Sequence, residues 1–97
     1  SQRRDQSMTY EMPGLSLKAL SDKKRLAILG RLSKERAYSL ELAKAMGVDP
    51  SNMSRNLALL CSYGFLKQEQ EAQKNYYQTD HEAVRHFLRQ LERVLLT

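Results

Sequence analysis

The chain has few of the residues on which several classes of protein depend. Its 97 residues include one cysteine, two prolines, four glycines and no tryptophan. A single cysteine cannot form an internal disulfide, which fits a reducing compartment and leads us to expect a cytoplasmic protein. No apolar run approaches the roughly 18 residues of a membrane-spanning helix, and no secretory signal is recognised. A hydrophobic content of 41% is typical of one small globular domain.

The sequence also lacks the patterns that enzymes and metalloproteins carry. It contains no glycine-rich phosphate loop and no suggestion of a Ser-His-Asp or Cys-His set. The lone thiol of Cys61 is interpreted as a packing residue in preference to a redox switch. His81 and His86 are five residues apart, about 140° around a helix, so their rings diverge and are interpreted as surface polar groups. We therefore expect no enzymatic activity, no cofactor and no metal site.

The segment Tyr38–Leu66 carries the pattern of two short helices joined by a tight corner. Ser39 is predicted to cap the first helix, and Gly47 is predicted to follow its last turn because glycine adopts left-handed backbone conformations at little cost. Asp49 is a favourable N-cap for the second helix, and Pro50 suits its first position, where no N–H is needed. A stop, a turn and a start in this order predict a helix-turn-helix, a motif that places its second helix in the major groove of DNA.

The second predicted helix divides into an apolar face and a polar face. Met53, Leu57 and Leu60 recur at spacings of four and three and are expected to face the core. The opposite face is small and polar, with Ser51, Arg55, Ala58 and Ser62 at its centre and Asn52 and Ser54 at its edge. Such groups can reach base edges and phosphates, but every solvated helix face also carries polar residues. The face alone therefore fits a DNA-binding surface and an ordinary surface equally well.

The positive charge is concentrated in the middle of the sequence. Residues 23–55 contain eight Lys or Arg and three Asp or Glu, whereas residues 1–22 and 56–97 are each neutral. The whole net charge of +5 thus lies in the predicted helix-turn-helix and in the helix before it. Phosphate neutralisation with release of counterions needs a local basic surface of this kind. The charge distribution therefore favours DNA as the partner.

The residues before the motif predict a flexible start and further helix. Residues 1–14 are expected to form a flexible N-terminal segment, and residues 15–97 a single domain. An apolar pattern around Leu17 suggests a short helix, and Ser21 or Asp22 is expected to cap a longer one. The first motif helix and this longer helix each have apolar residues at helical spacing that are expected to face the core: Leu26, Ile28, Leu29 and Leu32 in the longer helix, and Leu40, Leu42, Ala43, Ala45 and Met46 in the motif helix.

The residues after the motif predict a β-hairpin and a terminal helix. Phe65–Gln70 and Lys74–Thr79 are extended stretches, although the turn between them lacks the Asn-Gly or Asp-Gly signal. Asp80 is expected to cap the last helix, whose apolar stripe recurs at spacings of four, three and four: Val84, Leu88, Leu91 and Leu95. This stripe can pack on the body of the domain or on the same helix of a second copy. The order of elements predicts a mainly α fold with a small β wing, a winged helix-turn-helix.

Three stretches of the sequence resemble the ArsR/SmtB-type winged-helix regulators. They are Leu17–Ser33, Glu41–Leu66 and Asn75–Asp80, and the resemblance extends over residues 15–97 in order and nearly without gaps. It implies a homodimer that binds a palindromic operator as a repressor-like regulator, with the helix at about 50–62 as the recognition helix. The resemblance further implies a dimer interface formed by the terminal helices, which suits the apolar stripe at the end of the chain.

The sequence departs from the metal-sensing members of that family. Where they carry a pair of cysteines, this chain has Tyr38-Ser39-Leu40, and the two divergent histidines do not supply the alternative site on the last helix. The missing sensor is expected if this domain is the C-terminal part of a longer regulator. The predicted wing, residues 68–74, contains two glutamates that phosphates would repel. Either this wing stays off the DNA or the chain does not bind DNA.

Two functions therefore remain open at the level of sequence. One is a sequence-specific regulator of transcription that binds double-stranded DNA, with Asn52 and Arg55 at the bases. Its expected DNA contacts are Ser51, Asn52, Ser54, Arg55, Lys23, Lys24, Arg25, Lys44 and Lys74. The other is a winged-helix module that binds protein within a larger assembly, which the acidic wing favours. A salt titration separates them, because DNA binding weakens steeply as salt rises. The sequence identifies neither an operator nor a small-molecule effector.

Overall fold

The fold is a bundle of short helices with a small antiparallel sheet, as predicted for a winged helix-turn-helix. The structure is a computed structural model and describes residues 14–96. The elements in these residues are α1 (Gly14–Ala19), α2 (Lys23–Lys34), β1 (Ala37–Tyr38), α3 (Ser39–Met46), α4 (Pro50–Ser62), β2 (Leu66–Glu71), β3 (Lys74–Thr79) and α5 (His81–Leu96). The sheet has the strand order β1-β3-β2. The predicted flexible segment, residues 1–14, lies outside the described residues except for Gly14.

The corner between α3 and α4 has the predicted backbone. Gly47 ends α3 in the left-handed conformation, with φ 65° and ψ 35°, and the N–H of Val48 donates to the carbonyl of Ala43 at 2.9 Å. The Asp49 carboxylate accepts the N–H of Asn52 at 3.1 Å, so Asp49 is the N-cap of α4. Pro50 is the first residue of α4. Local sequence signals therefore fix how α4 leaves the corner.

The start of α3 differs from the prediction. Ser39 is not the N-cap but the first helical residue, and the N-cap position belongs to Tyr38. Tyr38 is extended because it pairs with Tyr76 in the sheet, so the helix can begin only after it. The orphan N–H of Tyr38 donates to the carboxylate of Glu41 at 3.4 Å. Glu41 thus closes the first turn in place of a serine hydroxyl.

The core lies where α2, α3, α4 and α5 meet the start of the hairpin. Its buried residues are Ile28, Leu29, Leu32, Leu42, Ala43, Met53, Leu57, Leu60, Phe65, Leu66 and Phe87. The prediction of a core-facing stripe in α4 is therefore confirmed. Leu26 and Leu40 were expected in the core but are 51% and 58% exposed. Each lies two residues before a buried residue, about 200° around its helix, and so outside the buried stripe.

The hairpin forms the wing and closes onto the core at its base. Strand β2 begins at Leu66, one residue later than predicted, because the N–H of Phe65 donates to the Leu60 carbonyl of α4 at 3.0 Å. The Phe65 ring is buried and packs edge-to-face on Phe87 at 5.6 Å between ring centroids. Ala72 and Gln73 make the turn, and both have positive φ, 51° and 66°. This is the backbone of a two-residue type I′ turn, reached here without the usual Asn-Gly pair. Within residues 14–96, no helix is both long enough and apolar enough to span a membrane.

Candidate nucleic-acid interface

The outer face of α4 is open to solvent. Ser51, Ser54 and Arg55 are exposed in its first two turns, and Ala58 and Ser62 continue the same face toward the C-terminal end. The opposite face contains Met53, Leu57 and Leu60, which anchor the helix in the core. The helix therefore presents small hydrogen-bonding groups and one long cation while its own position is fixed by burial. This is the shape and chemistry that a helix in the major groove requires.

Asn52 lies at the edge of this face and is partly buried. Its Oδ1 accepts from Lys24 Nζ at 3.0 Å and from Asn56 Nδ2 at 2.9 Å. Asn56 Nδ2 also donates to the backbone carbonyl of Asn52 at 2.9 Å. Asn56 is only 8% exposed and was not among the predicted functional residues. The spacing of four between the two asparagines was the available signal, since such residues are neighbours on a helix.

Arg25, a predicted phosphate contact, is held by several contacts within the fold. Its guanidinium donates to Asn56 Oδ1 and to Asp22 Oδ2, both at 3.3 Å, and also to the backbone carbonyls of Ala19 and Lys18. The side chain is only 17% exposed. Arg25 lies three residues before Ile28, so the helical period places it on the buried stripe of α2. It therefore joins α1, α2 and α4, and its predicted contact with DNA stays a prediction.

The remaining predicted cations differ in their exposure and contacts. Lys23 and Lys44 are exposed, whereas Lys24 is partly buried by its contact with Asn52. Lys74, next to the wing turn, places its ammonium 4.4 Å from the centroid of the Tyr38 ring. A cation over an aromatic face is attracted by the ring quadrupole, so this contact ties the wing to strand β1. The structure thus separates two solvated cations from two cations that are engaged within the fold.

The two glutamates of the wing are paired within the chain. Arg36 donates to Glu69 Oε1 at 2.7 Å and to Glu71 Oε1 at 2.5 Å, and we name these three residues the wing clasp. The Arg36 guanidinium also lies 4.3 Å from the centroid of the Tyr76 ring. The hydrogen bond that Arg36 donates to Glu71, followed by the charge of Glu71 and by the contacts with Glu69, raises the pKa of Arg36 above its ordinary value despite some desolvation. Arg36 was not predicted as functional, because its partners lie far away in sequence.

Cys61 and the histidines have structural contacts. Burial raises the pKa of the Cys61 thiol, although a hydrogen bond from Gln68 at 3.3 Å opposes this effect. A raised pKa disfavours the thiolate, which is the reactive form. His81 Nε2 lies 2.8 Å from Ser33 Oγ, and His86 is exposed. Among residues 14–96, no three His, Cys, Asp or Glu side chains converge on a point where they could bind a metal ion.

The terminal helix leaves part of its apolar stripe uncovered. Phe87 is buried, and Val84 and Leu91 pack partly against the core. Leu88 is 54% exposed and Leu95 is 70% exposed, so the predicted stripe divides between the body of the domain and the solvent. These two leucines line a groove on α5 of about 520 Å³, together with Arg85, Arg89, Glu92 and Leu96.

Together, the corner, the exposed outer face of α4 and the β wing define a winged helix-turn-helix domain. A sequence comparison agrees, because the family model of the helix-turn-helix domain matches residues 20–69. The chain therefore belongs to this family. A search of curated protein sequences finds no match to the chain.

Several solved structures share the fold, and some of them are described as ArsR-like regulators. The ArsR-like transcriptional regulator from Rhodococcus sp. RHA1 has a TM-score of 0.80 at 24% identity and aligns over 89% of this chain and 81% of its own. NolR from Sinorhizobium fredii has a TM-score of 0.74 at 26% identity, over 98% and 95%. The homodimeric winged helix-turn-helix DNA-binding domain of a possible ArsR-family regulator from Mycobacterium bovis has a TM-score of 0.76 at 24% identity, over 100% and 92%. The predicted resemblance is confirmed at the level of the winged helix-turn-helix fold.

Proposed function

We propose that this chain is a sequence-specific, double-stranded-DNA-binding regulator of transcription, with α4 as its recognition helix. The observation that carries the proposal is the exposed outer face of α4, with Ser51, Ser54 and Arg55 in its first two turns. A helix-turn-helix family match and a neighbour described as a DNA-binding domain support it. The resemblance to ArsR-type regulators suggests a repressor-like action, in which the bound protein occupies its operator.

The proposed contacts divide according to the surroundings of each side chain. Arg55 is the proposed base-reading residue, because a long exposed guanidinium can donate two bonds to a guanine edge. Ser51 and Ser54 would reach bases or phosphates beside it. Lys23 and Lys44, which are exposed, would neutralise phosphates. Asn52 and Lys24 would act at the edge of the interface, and Lys74 would act through the wing.

We propose further that residues 15–97 form one domain and act as a homodimer through α5. Leu88 and Leu95 are largely exposed in the single chain, and covering them with the same helix of a second copy would remove apolar surface from water. The Mycobacterium bovis neighbour is described as homodimeric. A twofold arrangement would present two recognition helices to half-sites about one helical turn, roughly 34 Å, apart.

Replacement of Arg55 by alanine tests the reading role. Operator fragments are first recovered from random genomic DNA, and affinities for operator and random duplexes are then measured at several salt concentrations. Arg55→Ala is expected to weaken operator binding by about 1–3 kcal/mol with a smaller effect on random DNA. The matched control is Lys34→Ala, which also removes an exposed cation. Lys34 lies ten residues, or about 15 Å, along α2 from Lys24, the residue that contacts α4 at Asn52.

The two functions give different results in this experiment. An equal loss on operator and random duplexes would show that Arg55 contributes charge only. If the unaltered chain binds no duplex even at low salt, DNA binding is excluded and the chain is a winged-helix module that binds protein.

A further inference from the structure

We propose that Lys24 and Arg25 fix the polarity of Asn52, so that this residue meets DNA only as a hydrogen-bond donor. The inference rests on the proposed function and concerns the specificity of the same surface. It predicts that Asn52 selects a base edge with acceptors, that of guanine or thymine, and does not form the paired contact with adenine that asparagine often makes. Lys24, Arg25 and Asn56 are positioning residues in this scheme.

The orientation of both amides follows from the cations at the two ends of the network. Lysine and arginine have donors and no acceptors. Lys24 Nζ is 3.0 Å from the Asn52 amide, so the oxygen of that amide must face Lys24. Arg25 Nη1 is 3.3 Å from the Asn56 amide, so its oxygen must face Arg25. The nitrogen of Asn56 is then directed at Asn52, where it donates to both oxygens.

Burial makes this order difficult to reverse. Asn56 is 8% exposed and the Arg25 side chain 17% exposed, so neither can exchange its partner for water without local opening. Rotation of either amide by half a turn would place N–H groups against N–H groups and leave buried donors unsatisfied, which is costly. The two cations therefore set the direction of every hydrogen bond between them.

The consequence for recognition lies in what remains free on Asn52. Its Oδ1 has two lone pairs, and Lys24 and Asn56 occupy them. A paired contact with adenine needs this oxygen as an acceptor for the base amino group, together with the amide nitrogen as a donor to N7. Only the two N–H groups of Asn52 remain for DNA. They match the O6 and N7 acceptors of guanine or the O4 acceptor of thymine. Adenine offers its N7 acceptor beside an amino group that would face a second donor, and cytosine offers only an amino group.

The decisive variant is Lys24→Met, which keeps most of the alkyl chain and removes the donor to Asn52 Oδ1. The operator position that Asn52 contacts is first located as the one at which Asn52→Ala removes discrimination among the four base pairs. At that position the unaltered chain is expected to prefer guanine or thymine, and Lys24→Met to shift the ratio of its affinities toward adenine by about tenfold. Lys23→Met is the matched control, because Lys23 is exposed and adjacent. It should weaken all duplexes alike and leave the base preference unchanged.

Two further measurements protect the test against trivial failure. Asn52→Asp replaces the donor nitrogen by oxygen while keeping the acceptor for Lys24. Thermal unfolding should therefore stay close to that of the unaltered chain while operator affinity falls about 100-fold or more. In the free protein, the side-chain amide protons of Asn56 should exchange with water more slowly than those of Asn52 by NMR.

Three results would overturn the proposal: a preference for adenine in the unaltered chain, an unchanged base preference in Lys24→Met, or faster exchange at Asn56 than at Asn52. Absence of duplex binding by the unaltered chain would remove the proposed function together with this inference. Binding with an unchanged base preference would remove this inference alone.

Discussion

Helices α4 and α5 pack against the same core but differ in the apolar surface that they leave exposed. On α4 the exposed residues near the N-terminal end include Ser51, Ser54 and Arg55. On α5 the exposed residues include four large apolar ones, Leu88, Val94, Leu95 and Leu96, with exposed fractions between 45% and 75%, beside charged residues. Both helices are amphipathic toward the interior, so core packing does not account for the difference. The difference fits the two partners proposed for these faces, DNA for α4 and a second copy of the chain for α5.

The two faces should respond differently to conditions. Binding to a polyanion through hydrogen bonds and cations releases counterions, so the interaction of α4 with DNA should weaken steeply as salt rises. Association through the leucines of α5 should depend mainly on apolar area removed from water and change little with salt. On this proposal one small domain would separate a salt-sensitive surface from a salt-tolerant one.

The largest expected effect comes from a charge placed on the apolar face of α5. Leu88→Glu would put an unpaired carboxylate into the proposed dimer interface, where loss of hydration costs several kcal/mol. We expect the dimer association constant to fall by about 100-fold or more. Operator affinity should fall as well, because one recognition helix would bind at a time. Sedimentation equilibrium at low and high salt measures the first effect, and a binding titration measures the second.

His86→Glu is the matched control for that variant. His86 and Leu88 lie on opposite sides of the buried Phe87, and both are exposed. The control adds the same charge to the same helix away from the uncovered leucines, and it should leave the dimer intact. A Leu88→Glu protein that remains dimeric, or an equally dissociated His86→Glu protein, would remove the proposed role of α5.

The second prediction concerns the wing clasp, which belongs to the salt-sensitive side of the comparison. Arg36→Met would free the carboxylates of Glu69 and Glu71, which Arg36 now contacts at 2.7 Å and 2.5 Å. If the wing approaches DNA, two unpaired anions should lower operator affinity by about tenfold at low salt, with less loss at high salt because screening weakens the repulsion. The dimer association constant should not change.

The triple variant Arg36→Met with Glu69→Gln and Glu71→Gln is the control. It removes the cation and both anions together and should recover most of the lost affinity. If the triple variant binds as weakly as Arg36→Met alone, the clasp acts by shaping the wing and not by balancing its charge. If none of these variants alters binding, the wing does not approach DNA.

Local signals predicted the geometry of α4 but not the network beneath it. Asp49 and Pro50 specify the start of α4, and Gly47 ends the helix before it, each through contacts within a few residues. Arg25 meets Asn56 across 31 positions of sequence, and Arg36 meets Glu69 across 33. Such partners are joined only when α2 packs on α4 and the hairpin folds over β1. The residues next to Arg25 and Arg36 in sequence therefore do not show that these two arginines make buried or paired contacts.

The position of the apolar stripe was a second source of error. The sequence contains more leucines per helix than the core can cover, and spacing alone does not say which of two overlapping stripes is buried. In α2 the buried stripe contains Ile28, Leu29 and Leu32, with Arg25 in line with it. Leu26 is left outside that stripe and is 51% exposed. Tertiary packing decides which stripe is buried. Arg25 lies on the buried side because several acceptors surround its guanidinium.

The smallest expected effect tests the corner that directs α4, a feature that α5 lacks. Helix α5 follows β3 directly, capped by Asp80, whose Oδ1 accepts the Ala83 N–H at 3.1 Å. Helix α4 instead follows a corner at Gly47, where φ is +65°. No atom lies within 4 Å of the position that a Cβ would occupy there. The cost of an added methyl group would therefore come from backbone strain alone. Gly47→Ala should therefore lower the free energy of unfolding by about 1 kcal/mol, or roughly 4–8 °C in Tm for a domain of this size.

Gly30→Ala is the control for Gly47→Ala, because Gly30 lies within α2 with equally open space at its Cβ position and no positive φ. There alanine should raise the free energy of unfolding by up to about 1 kcal/mol, since it favours helix and restricts the unfolded chain. Opposite signs at the two glycines, measured by thermal and urea unfolding, would show that Gly47 is required for its backbone conformation. Equal signs would mean that the corner tolerates another backbone, and the direction of α4 would then depend on its buried residues alone.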